Sequence, residues 1–275
     1  VSVAPGDRGP AWIELSVPDP ESLAAFYGWL FGWKTGDGRL PDGATGLYDE
    51  SGRLVLLLRR GRGEGAWIPV FQVPDPAAAS ARAVELGATA HRETSVADWR
   101  ARILRDPAGA LFGIGGPAGG AGAELGLPER LLVCELGTRD LVGAADFYRE
   151  VLGVRALGLR PDPFDYHLLV RGGAALASIL DMTSFHDAST PQHWVAYVDV
   201  ADVSWASARA AELGALVRVP RADSPFGEYA VLEDPDGLLF GLGTRPAPER
   251  LAGLRLQDLA GGPPIDIDEV LAIEP

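Results

Sequence analysis

Cysteine is nearly absent from this chain. Cys134 stands alone among 275 residues, which excludes an intrachain disulfide and any cysteine-rich zinc site. Basic residues are also in deficit: 24 lysines and arginines face 38 acidic residues, for a net charge of −14. A surface so negative repels phosphate backbones, so we expect no nucleic-acid partner. The densest basic group, Arg59, Arg60 and Arg62, reads as a solvated strand end and turn. No apolar run approaches the ~20 residues that span a bilayer. The N-terminus carries no signal-peptide pattern, and the expectation is a cytoplasmic protein without a membrane partner. Phosphate-cradling glycine loops and Gly-x-Ser-x-Gly elbows are missing too. Apolar residues, in contrast, are plentiful at 47%, enough for packed cores, and the length accommodates two ordinary domains.

The chain repeats itself. Glu14-Leu15 followed by Asp19, Phe26-Tyr27 and Gly32 returns as Glu135-Leu136, Asp140, Phe147-Tyr148 and Gly153, at one constant offset. Later, Ser80-Ala81-Arg82-Ala83 returns as Ser207-Ala208-Arg209-Ala210. Asp106-Pro107-Ala108-Gly109 before Leu111-Phe112-Gly113 returns as Asp234-Pro235-Asp236-Gly237 before Leu239-Phe240-Gly241. The offset grows by a few residues along the chain, which places small insertions in loops. An ordered series of this kind is a duplication. It divides the chain into residues 1–125, residues 126–247 and a tail at 248–275.

Within a copy, the period switches between strand and helix. Trp12 to Val17 is a short strand. Asp19 then caps a helix whose Leu23, Phe26, Tyr27 and Leu30 share one face, and Gly32 ends it in a left-handed conformation. Leu54 to Leu58 and Trp67 to Val73 are strands, Pro76 to Leu86 is a helix, and Arg102 to Leu104 and Ala110 to Ile114 are strands. Two βαβββ-like modules per copy result, an α+β chain of four modules.

With the Val17-Pro18-Asp19 strand end, the Phe26-Tyr27 helix and the closing Asp-Pro-Asp-Gly turn present twice, residues 10–116 and 130–244 resemble the vicinal oxygen chelate superfamily. This is the group of glyoxalases, bleomycin-resistance proteins and extradiol dioxygenases. The resemblance implies two tandem domains, each of two modules whose sheets curl into a half-open barrel with helices outside and a ligand within. Its metal-dependent members carry His, Gln or Glu ligands on inward strand positions. Those positions fall on Trp12, Ile68 and Gly113 in the first copy and on Val133, Val195 and Gly241 in the second, with the remaining one near Leu57 and Ser178. A divalent metal needs N, O or S donors, which such a set does not supply. We expect neither a metal nor another cofactor.

Strand alternation assigns the faces independently. Trp12, Glu14 and Ser16 face the cavity, and Ile13, Leu15 and Val17 face the helix. In the second copy Val133, Glu135 and Gly137 point inward while Leu132, Cys134 and Leu136 point outward. The expected ligand-binding walls are Trp12, Ile68, Val70, Val133, Val195 and Tyr197. Gln72 and Asp199 have inward parity, and Gly113 and Gly241 open the backbone to close approach. Glu14 and Glu135 occupy equivalent inward places. A buried carboxylate needs a reason: either an ion pair, or a raised pKa that suits a general base. His186 and His193 lie with Asp181 and Asp187 in a short loop whose spacing fits no standard metal site, and His167 reads as a structural histidine. In the tail, Ile265-Asp266-Ile267-Asp268 alternates as a strand does.

Three functions fit these features. The first is metal-independent binding of a small, largely apolar or aromatic organic molecule, as in sequestration or resistance. The alternative is a metal-free enzyme (cyclase, isomerase or lyase type) in small-molecule or natural-product biosynthesis, with Glu14 or Glu135 as general base. The third leaves the cavities filled and the surface as the working part. Because duplication already supplies a two-domain assembly, both a monomer and a homodimer are compatible with the sequence.

Overall fold

The structure is a computed structural model that describes residues 9–36, 40, 43–61, 65–118, 131–160, 165–184, 186–251, 254–262, 265–267 and 270; Arg62 lies outside them. The first half runs β1 (Trp12–Val17), α1 (Pro20–Phe31), β2 (Lys34–Thr35), β3 (Thr45–Tyr48), β4 (Leu54–Arg60), β5 (Ala66–Gln72), α2 (Pro76–Glu85), β6 (Thr89–Val96), β7 (Trp99–Arg105) and β8 (Leu111–Pro117). The second half repeats it with β9 (Leu131–Thr138), α3 (Leu141–Leu152), β10 (Arg155–Arg160), β11 (Tyr166–Arg171), β12 (Ala174–Asp181), β13 (His193–Asp199), α4 (Val203–Glu212), β14 (Leu216–Ser224), β15 (Gly227–Glu233) and β16 (Leu239–Gly243). The tail adds α5 (Pro248–Leu251), β17 (Arg255–Asp258) and β18 (Ile265–Asp266). None of the described helices is long and apolar enough to cross a membrane.

The helix ends follow the expected chemistry. Asp19 accepts from the Glu21 and Ser22 amides, and Gly32 closes α1 at φ 76°, a left-handed geometry that spares glycine the Cβ clash. Asp140 and Gly153 repeat the arrangement around α3. In the first half the apolar pattern does not reveal the short β2 and β3 or the longer β6, half of whose side chains are exposed.

The strands form two sheets, ordered β2-β3-β4-β1-β5-β8-β7-β6 and β14-β15-β16-β13-β9-β12-β11-β10-β17-β18. Modules therefore pair in chain order. In each domain the first strands of the two modules lie antiparallel, with Glu14 opposite Ile68 and Glu135 opposite Val195. Contacts also connect distant parts of each strand order: Arg59 on β4 donates to the Ser95 carbonyl on β6 at 3.2 Å. Tyr166 on β11 meets Phe226, beside β15, at 5.2 Å between ring centroids.

One buried apolar cluster runs through both domains on the helix side of the sheets, joining Ile13, Leu15, Val17 and Phe26 to Cys134, Leu136 and Phe147. The duplicated motifs meet there reciprocally. Tyr27 of α1 donates to Asp234 at 2.8 Å, and Tyr148 of α3 donates to Asp106 at 2.9 Å. Each Asp-Pro-x-Gly turn thus receives a phenol from the opposite domain. Trp67 also reaches the Leu239 carbonyl at 2.7 Å. Facing agrees with strand alternation except at the start of β9. There the register shifts between Tyr197 and Val198, so Leu131 packs on the helix-side cluster, while Leu132 approaches Gly243. Leu132 is therefore not on the helix side, because the irregularity inverts alternation locally.

Candidate functional site

The other face of the first sheet is packed. Trp12, Leu57, Ile68 and Val70 join Val96, Trp99, Ala101 and Ile103 in one buried cluster, and Trp12 meets Trp99 edge to face at 6.1 Å. Gly113 leaves no room for a ligand, since a Cβ there would stand 2.8 Å from Val70. Glu14, fully buried, is saturated with partners. Arg92 and Thr94 from β6 bond it, Arg59 lies at 3.4 Å, and the Trp12 indole donates at 3.3 Å. A carboxylate enclosed in this way is a structural ion cluster. Gln72 is half-buried and its carbonyl accepts from Arg171 at 2.8 Å.

The second domain differs at the equivalent places. Val133 stands where the first domain has Trp12, and Val133, Tyr166, Tyr197, Tyr229 and Val231 are each partly exposed. Glu135 has the same partial exposure although it lies deep in the domain. Solvent thus reaches side chains on this face, whereas the equivalent face of the first sheet is sealed. Register aligns Glu135 with Ser178 on β12 and with Val195 on β13. Tyr197 donates to Glu135 at 3.2 Å. The buried Ser178 hydroxyl faces the carboxyl but lacks a hydrogen bond of full geometry.

The electrostatics follow from this setting. Burial pushes the Glu135 carboxyl up from 4.5 to about 7, while Tyr197 and Ser178 oppose the rise. Burial, reinforced by the Glu135 charge, holds the Tyr197 phenol well above its usual 10, and the same two causes raise Tyr166. Both phenols therefore remain neutral donors near pH 7. This face combines apolar side chains, a carboxyl pushed up to about 7 and hydroxyls beside it. Such a group takes and returns a proton at working pH.

The remaining expected residues fall outside this constellation. Asp199 pairs with Arg245 at 2.8 Å at the rim, and the space above Gly241 is filled by the Tyr197 ring, 2.1 Å from where a Cβ would stand. His167 has the parity of Leu169 and turns to the helix side. His186 and His193 approach edge to face at 5.3 Å. Sequence reading did not pick out Tyr166, Tyr229 or Phe226; each is the one aromatic of its strand or turn, so no local pattern marks it. Two surface clefts, of about 490 and 440 Å³, lie beside α2 and α1, and neither borders Glu135.

The metal positions implied by the fold can now be tested against the register. Trp12, Leu57, Ile68 and Gly113 are on the inner face of the first sheet, as are Val133, Ser178, Val195 and Gly241 in the second. Their only side-chain donor is the Ser178 hydroxyl, so these residues do not fit a divalent metal. Among the described residues no three His, Cys, Asp or Glu side chains gather into a metal-holding group.

Residues 12–114 match a family described as glyoxalase-like domain, and residues 130–242 match the glyoxalase/bleomycin resistance protein/dioxygenase superfamily. The anthracycline biosynthesis protein DnrV of Streptomyces peucetius is 32% identical over 268 residues, covering 87% of this chain and 93% of that protein. A putative glyoxylase, CFP32 of Mycobacterium tuberculosis, is 29% identical over 255 residues, covering 88% and 96%. Among solved structures, the Mn(II)-bound glyoxalase from Novosphingobium aromaticivorans superposes with a TM-score of 0.60 at 16% identity, covering 86% of this chain and 81% of that one. A variant of homoprotocatechuate 2,3-dioxygenase from B. fuscum gives 0.60 at 18%, covering 91% and 76%. At these identities the two structures speak for the fold alone. With both halves matched and DnrV aligned along nearly its whole length, the chain belongs to the glyoxalase/bleomycin resistance protein/dioxygenase superfamily, in a tandem two-domain arrangement.

Proposed function

We propose that this protein is a metal-independent enzyme of natural-product biosynthesis, of isomerase, cyclase or lyase type. It binds a small, largely apolar or aromatic molecule in a chamber on this face of the second domain and uses Glu135 as general base. The observation that carries the reading is the contrast between two equivalent carboxylates. Glu14 is fully buried and held by Arg59 and Arg92, whereas Glu135 is bonded by the neutral Tyr197 phenol, meets no cation among the described residues, is partly exposed and is pushed up to about 7. A base poised there removes a proton from carbon next to a carbonyl and, once protonated, returns it. Tyr197, held neutral, keeps a donor beside it. Of the two carboxylates suited by position, Glu135 is the base and Glu14 is structural.

The reading is supported by DnrV, whose name places it in anthracycline biosynthesis; polycyclic aromatic carbonyl compounds suit the chamber's walls. Biosynthetic and catalytic relatives favour turnover over sequestration, the other reading of such a cavity. The half-open barrel belongs to the same proposal, supported by the Tyr166–Phe226 contact, as do a cytoplasmic location, a monomeric or homodimeric state, and domains spanning 1–125 and 126–247.

Native mass spectrometry of freshly purified protein identifies a retained small molecule. Incubation with anthracycline-type carbonyl compounds in D2O then reads exchange at carbon. We expect wild-type exchange to fall about 100-fold or more in Glu135→Gln, the scale of a lost general base, with binding retained. Undiminished exchange in that variant refutes the assignment.

A further inference from the structure

The first sheet ends at β2, yet the second continues past the equivalent strand, β10, into β17 and β18. The duplicated fold does not require this extension. At one end of it, Arg250 pairs with Asp223 at 3.0 Å and donates to the Ser224 carbonyl at 3.3 Å, fastening it to the hairpin that carries Phe226. At its other end β17 lies antiparallel to β10, with Leu256 opposite Leu159, and Arg155 bonds Asp258 at 2.8 Å. The hairpin and β10 stand far apart in the order of the sheet, so the segment bridges the two sides of the second domain.

Its inner side chains are apolar and buried. Leu251 and Leu256, at 1% and 0% exposure, share a cluster with Leu157, Leu159, Leu168 and Val170, and Leu254, Tyr166 and Phe226 pack against that cluster. This cluster lies on the chamber face, since Leu168 pairs with Ser178, which in turn pairs with Glu135. Tyr166, the ring pressed by Phe226, borders the Glu135 carboxyl. The bridging segment therefore packs against both members of the aromatic pair beside the base.

We propose that the segment carrying Arg250, Leu251, Leu254 and Leu256 is a strap across the second chamber. It determines how fast, and how large, an organic molecule reaches Glu135. The inference rests on the reading of that chamber as the working site. Between the β17 ladder at one end and the exposed Arg250–Asp223 pair at the other, the strap is held by a few leucines, and its Arg250 end is the part that opens locally without global unfolding.

Stopped-flow fluorescence with 8-anilinonaphthalene-1-sulfonate and its dimer, bis-ANS, on the full chain tests it. Two strap variants, Arg250→Ala and Arg250→Ala/Leu256→Ala, are compared with Val133→Trp. The last restores in the second domain the residue that the first domain carries at the equivalent place, Trp12. Loosening the strap is expected to raise entry and exit rates together, by more than about tenfold in the double variant, because a buried leucine is lost. Arg250→Ala alone, which removes one exposed pair, should give about threefold. Bis-ANS should gain more than the smaller dye, and Val133→Trp should abolish both signals. If the strap variants bind at wild-type rates while Val133→Trp still blocks the dye, the strap is refuted and the chamber stands. If Val133→Trp leaves dye binding unchanged, the chamber reading itself falls and takes the strap with it.

Discussion

Replacing Glu135 with glutamine should stabilise the protein, and only at high pH. The carboxyl titrates at 4.5 in a solvated chain and at about 7 in the fold, with burial the main cause. The folded state therefore holds the proton more tightly than the unfolded state. Below pH 4.5 both states are protonated and the site costs nothing. Between 4.5 and about 7 the folded state progressively forfeits stability, and above 7 the full penalty is present. A difference of this size corresponds to about 3 kcal/mol. Glutamine is nearly isosteric, accepts the Tyr197 hydrogen bond through its amide oxygen, and carries no charge to desolvate. Urea unfolding of both proteins at pH 4.5 and pH 8.5 is the assay. At pH 8.5 the variant should be more stable by about 2–3 kcal/mol, and the gap should nearly vanish at pH 4.5. A gap independent of pH, or a variant destabilised at pH 8.5, refutes the claim that Glu135 is an unpaired carboxyl in a poorly solvating chamber.

The same change at the equivalent position should act oppositely. Glu14→Gln leaves Arg59 and Arg92 buried or half-buried without their carboxylate, and loss of about 3 kcal/mol at neutral pH is expected in the same urea assay; a neutral result contradicts the ion cluster. Tyr27→Phe and Tyr148→Phe each remove one phenol from a buried aspartate of the other domain. Each should cost about 1.5–3 kcal/mol and, as the two bonds share no partner, the two should add; strong non-additivity in the double variant signals that the domains do not dock independently at the two turns. Gly241→Ala forces the Tyr197 ring aside, at a cost of about 1–3 kcal/mol. Because the Tyr197 bond lowers the Glu135 pKa, its loss should move the carboxyl titration, followed by carbon-13 NMR, above about 7; an unmoved midpoint shows that the ring stays in place.

Much of the fold was legible because its signals are local. Asp19 and Gly32 bound α1 through their own backbone chemistry, and the inward parity of Glu14 and Glu135 follows from a period of two. Legibility stopped where alternation was broken or weak. An irregularity in β9 turned Leu132 away from the helices. β6, half exposed, offers no apolar rhythm, yet it supplies the Arg92 that pairs with Glu14 and the Thr94 hydroxyl that donates to it. Tyr166 on β11 and Phe226 in the β14–β15 turn come together across the domain, a proximity that no sequence spacing encodes.

The sequence by itself determined the duplication, the family and the absence of chelating residues, since each is a property of residue identity and order. It also placed one carboxylate at the same inward position in both copies. The exchange of Trp12 for Val133 already marks the two sites as unequal, and tertiary structure alone decided how the two carboxylates differ. Whether a buried carboxylate is an anchored anion or a base depends on the charges that distant strands bring within a few ångströms. It also depends on whether a tryptophan or a valine stands beside it, filling or opening the space that would hold a ligand.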